Sequence, residues 1–83
     1  MSMIFFTYRA ATQARMGVSI LQKAGIPARM DRSPAGISEK GCGYGLWVRA
    51  DRGAEAAAVL RRQGRPYTRS YRFTGDEVRE VRL

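Results

Sequence analysis

Histidine is absent from this chain, and cysteine occurs once, at Cys42. These two scarcities exclude several chemistries together. A Ser-His-Asp triad, a Cys-His pair, a CxxC redox switch, an intramolecular disulfide and a Cys/His zinc site each need residues the chain does not contain. Acids are few as well. The seven Asp and Glu residues are spread along the chain, so neither an oxygen-ligand metal site nor a catalytic carboxylate pair is expected. Long hydrophobic runs are also missing: Met3-Ile4-Phe5-Phe6 is cut by Thr7 and Arg9, too short for a signal-peptide core or a bilayer span. The expectation is a cytoplasmic protein with no membrane, metal or cofactor.

What is present suits one small folded domain. A chain of 83 residues leaves little room for a deep catalytic cleft, and 45% hydrophobic with 27% charged residues is ordinary for a globule. The net charge is +8, carried almost wholly by arginine, since Lys23 and Lys40 are the only lysines. The arginines are scattered rather than gathered in a block. A solvated surface is the plainer reading, with an acidic protein or RNA as the alternative partner.

The pattern along the chain alternates between the two secondary-structure periods. Met3 to Tyr8 is β-branched and aromatic and reads as a strand. From Ala10 to Ala24, residues Ala11, Ala14, Val18 and Leu21 recur at helical spacing, Gly17 weakens the middle, and Gly25 stops the helix. Ala28 to Arg32 alternates as a half-buried strand. Ser33 to Gly43 contains Pro34, Gly36, Gly41 and Gly43 and reads as a long loop. Tyr44 to Arg49 is a strand, Asp51 to Gln63 an Ala-rich helix ended by Gly64, and Pro66 to Phe73 a last strand. Asp51 and Glu55 read as caps of that helix. Right-handed crossovers fold this order into an α+β, ferredoxin-like βαββαβ domain over residues 1–73. Its four-stranded antiparallel sheet carries both helices on one face. Residues 74–83 form a tail of uncertain structure, with Val78, Val81 and Leu83 free to pack as an extra element or an arm.

Cys42 sits between Gly41 and Gly43 at the end of the long loop. A thiol is nucleophilic only as its anion, and its ordinary pKa leaves it mostly protonated at neutral pH. Flanking glycines let backbone N–H groups turn toward the sulfur as a nest, Lys40 brings a cation two residues away, and the missing side chains leave room for an added sulfur atom. The competing reading is a small buried hydrophobe entering a strand.

The run from Tyr8 to Ala14 precedes a helix that closes on Leu21-Gln22-Lys23-Ala24-Gly25-Ile26-Pro27-Ala28-Arg29. Pro34, Ile37-Ser38 and then Gly41-Cys42-Gly43-Tyr44-Gly45-Leu46 follow. Together these resemble the selenium/sulfur (Se/S) carrier protein-like family of bacteria, over about Ile4 to Phe73. The resemblance implies that Cys42 accepts sulfane sulfur or selenium as a persulfide-type adduct, with Ile37, Ser38, Lys40, Gly41 and Gly43 around it. It also implies a persulfide donor such as a cysteine desulfurase and a sulfur- or selenium-using acceptor enzyme, so the chain is a carrier rather than a self-sufficient catalyst. Pro34-Ala35-Gly36 stands where the family pattern has Pro-Arg-Glu, and the loop is one residue longer, so no contact through that Arg-Glu pair carries over.

A second class stays open on the sheet. Trp47 and Arg49 share one face, where Phe5 and Arg29 can join them, and such an aromatic and arginine platform suits single-stranded nucleic acid. Covering that face by homodimerisation is the simpler expectation. Tyr67 and Tyr71, with Arg69 and Phe73, read as sheet-face packing, and Arg61-Arg62 as a solvated helix end.

Overall fold

The computed structural model describes residues 2–34, 36–37 and 43–83. Strand β1 (Ser2–Tyr8) leads into helix α1 (Ala11–Lys23), then β2 (Arg29–Arg32) and β3 (Tyr44–Arg49). A 3-10 turn at Ala50–Arg52 opens helix α2 (Gly53–Arg62), followed by β4 (Ser70–Thr74) and β5 (Glu77–Val81). All strand pairings are antiparallel, in the order β2-β3-β1-β4-β5.

The expectation of four strands is thereby corrected: the fold is α+β with two helices and a five-stranded antiparallel sheet. The fifth strand comes from the tail. Thr74 pairs with Glu77 across Gly75-Asp76, where Gly75 takes φ +56°, a conformation open to glycine without cost. Val78 then lies opposite Phe73 and Val81 opposite Ser70, so the valines that gave no clear period alone find partners on both faces of β4.

β1 is the central strand, and this explains its unbroken apolar run, because Ile4 to Tyr8 is buried on both faces. One face, Ile4, Phe6 and Tyr8, joins Leu46 and Val48 of β3 in a core with Ala14 and Leu21 of α1 and Ala56, Ala57, Val59 and Leu60 of α2. Small residues bring the helices close. A Cβ on Gly17 would lie 2.8 Å from Leu46 Cδ2 and 3.3 Å from the Tyr8 hydroxyl, so the residue expected to weaken α1 sets its distance from the sheet.

The opposite face is built on Phe5. It is fully buried, its ring 4.8 Å from that of Trp47, which lies 4.8 Å from Phe73. Phe5 is therefore covered within one chain, while Trp47 and Phe73 stay half-buried.

Three smaller expectations also change. Asp51 and Glu55 make no capping hydrogen bond; Asp51 accepts from Arg49 at 3.1 Å and Glu55 from Arg52 at 2.8 Å. Tyr67 precedes β4 and stacks on Phe6 at 4.6 Å, on the helix side, while Tyr71 and Phe73 lie on the Phe5 face. Arg61 is engaged rather than merely solvated, donating to the Tyr67 hydroxyl and the Leu83 carbonyl, each at 2.7 Å.

Candidate functional site

The segment between β2 and β3 springs from a tied base. Arg32 and Tyr44 are the last paired residues, and Ser33 N–H donates to the Gly43 carbonyl at 3.0 Å, carrying the ladder one step further. Beyond this, Ile37 N–H closes a turn on the Pro34 carbonyl at 3.4 Å, with Gly36 at φ +97°. That turn reaches the far edge of the sheet, since a Cβ on Gly36 would stand 3.4 Å from Val78 Cγ2 on β5.

Two of the residues singled out from the sequence are described. Ile37 is half-buried in the turn, and Gly43 is exposed at the base. A side chain added at Gly43 would meet nothing within 4 Å among the described residues, and its backbone is not left-handed, so Gly43 does not supply the left-handed residue of a nest. Cys42, Gly41, Lys40 and Ser38 lie outside the described residues.

The sheet around that base is held by groups that the sequence did not flag. Gly45 passes so close to β1 that a Cβ would overlap the Phe6 carbonyl oxygen and approach the Phe5 ring to 2.5 Å. Tyr8, paired with Tyr44, buries its hydroxyl and donates to the Arg65 carbonyl at 2.7 Å. Burial pushes that hydroxyl well above the ordinary tyrosine range, so Tyr8 stays neutral and acts as a strut rather than a base. Arg65 Nε is buried without a hydrogen-bond partner among the described residues. A glycine between Tyr44 and Leu46 was the only readable signal for Gly45, and nothing local marks Tyr8 or Arg65.

The platform residues do share a face, with Trp47 half-buried and Arg29 and Arg49 exposed. Phe5 has no exposed surface to offer a base. The Trp47 indole donates to Asp31 Oδ2 at 3.1 Å, with the Arg29 guanidinium 6.0 Å from its ring and 3.5 Å from the same carboxylate. The indole hydrogen bond, chiefly, holds the Asp31 carboxyl below its usual value, with help from the Arg32 N–H and the Arg29 charge. A carboxylate thus sits beside the one tryptophan, matched by the Arg29 charge, and Arg49 is paired with Asp51. No group of three or more His, Cys, Asp or Glu among the described residues can hold a metal ion. No described helix is long and apolar enough to cross a membrane.

Comparison with known proteins gives one match. The family model described as "Putative Se/S carrier protein-like" matches residues 3–72, covering β1 through most of β4. No curated protein and no solved structure matches the chain.

Proposed function

This chain belongs to the Se/S carrier protein-like family, and we propose that it carries sulfane sulfur on Cys42 between a persulfide-bearing donor and an acceptor enzyme. The observation that carries the reading is the family match over residues 3–72 of a chain whose one cysteine stands between two glycines. The tied base supports it: Gly43, the residue after the thiol in the sequence, is exposed, and a Cβ there would meet no described residue within 4 Å.

The reaction balances without an added oxidant or reductant. The Cys42 thiolate attacks the outer sulfur of the donor persulfide, a new S–S bond forms on Cys42, the donor's S–S bond breaks, and the donor leaves as a thiolate. An acceptor nucleophile then takes the outer sulfur and returns Cys42 to the thiolate. Selenium in place of the outer sulfur follows the same course. Lys40, two residues before Cys42 in the sequence, is the cation that favours the thiolate at both stages.

Incubation with a small-molecule persulfide donor, followed by alkylation and intact mass measurement, tests the first step. One added sulfur per chain is expected for the native protein and none for Cys42→Ser; equal loading of both variants refutes the assignment of Cys42.

A further inference from the structure

A shallow groove of about 390 Å³ lies between the carboxy-terminal ends of the two helices, lined by Ile20, Lys23 and Ala24 of the α1 end and Val59, Arg62 and Gln63 of the α2 end. Its floor is apolar, and its charges have one sign. Lys23 and Arg62 make no hydrogen bond or ion pair among the described residues. α1 contains no acid, and the one acid of α2, Glu55, is held by Arg52 through both carboxylate oxygens at 2.8 and 3.2 Å. One turn before Ile20 on the same helical face stands Met16, at 42% the one exposed large hydrophobic side chain among the described residues.

We infer that this groove is a docking surface for an acidic, amphipathic segment of a partner protein. An apolar anchor of that segment seats against Ile20, Val59 and Met16 while its carboxylates pair with Lys23 and Arg62. The argument is one of complementarity. An apolar strip supplies burial, two unpaired cations at its rim supply orientation, and no carboxylate within the groove competes for them. Methionine at the rim suits a surface that adapts to its anchor. A second copy of this chain fits poorly, because its helices would bring the same cations to the same place. The inference rests on the groove alone and is independent of Cys42.

The test uses the full chain and a synthetic helical peptide with two leucines four residues apart, flanked by glutamates. Amide shifts at Met16, Ile20, Lys23, Val59 and Arg62 are expected on titration. Lys23→Glu/Arg62→Glu should weaken binding about tenfold or more. Met16→Ser should weaken it severalfold, and Cys42→Ser should leave it unchanged. Arg49→Glu/Arg72→Glu, the same charge change placed elsewhere on the surface, should retain most of the affinity; an equal loss from both double variants shows that only net charge attracts the peptide and overturns the groove. Shifts confined to other residues overturn it as well, as does perturbation of this groove by anionic vesicles or a single-stranded oligonucleotide with no response to the peptide.

Discussion

Gly36 lies close to Val78, for a Cβ added to it would stand 3.4 Å from Val78 Cγ2, so the turn that leaves edge strand β2 approaches β5 at the opposite edge of the sheet. Gly36 takes φ +97°, a conformation that side chains resist. Gly36→Ala should therefore cost about 1–2 kcal/mol in urea unfolding. An unchanged midpoint would mean that this turn does not hold its conformation in solution.

The two glycines around Tyr44 should separate cleanly. Gly45→Ala forces a Cβ into the Phe6 carbonyl and the Phe5 ring and should cost about 3 kcal/mol, since backbone cannot move aside as a side-chain tip can. Gly43→Ala should stay within about 0.5 kcal/mol of the native chain, having open space and an ordinary φ. Any change in Cys42 alkylation rate caused by Gly43→Ala then reports on the thiol's surroundings rather than on folding. Comparable melting points for the two variants would contradict the close β1–β3 approach.

Asp31 should be visible through Trp47, the chain's one tryptophan. The carboxyl is held below the ordinary aspartate value, so its stabilising contribution is complete above that value and is lost as pH falls through the depressed folded-state pKa. Acid titration should change tryptophan emission with a midpoint below that of an ordinary aspartate, and Asp31→Asn should abolish that step. The stability at stake is under about 1 kcal/mol, because the carboxylate is half-exposed and screened by water. A midpoint at or above the ordinary value would show that the indole bond does not form.

Arg72 and Arg79 stand directly opposite each other on β4 and β5. Like charges in that position repel, so Arg72→Glu should raise stability by about 0.5 kcal/mol through a cross-strand ion pair. The gain should shrink in high salt. Loss of stability would indicate that Arg72 has a favourable partner.

How much of this was legible depended on whether the signal was local. β3 was read to the residue, because Tyr44 to Arg49 is a compact apolar run bounded by Gly43 and by the turn at Ala50. α1 was nearly so, with Gly25 at φ +80° providing the stop. β5 was missed because Glu77 to Val81 alternates two valines among charges and becomes a strand only by pairing with β4. The pair Gly75-Asp76 between Thr74 and Glu77 is a two-residue hairpin signal that was there to be read. At the candidate site, turn residues marked the long connection between β2 and β3, while Cys42 itself lies outside the described residues. The Gly36–Val78 contact joins residues 42 positions apart and has no local trace. The Asp31–Trp47 bond is equally tertiary and has no local trace either.

The most direct test of the carrier reading follows the sulfur through a complete cycle. Native chain loaded by a persulfide donor is freed of that donor, mixed with an equimolar acceptor thiol, and both species are weighed over time. The chain is expected to return to its unmodified mass as the acceptor gains one sulfur, with Cys42→Ser neither loading nor delivering. Sulfur that loads but never leaves, or delivery that proceeds equally with Cys42→Ser, would contradict it.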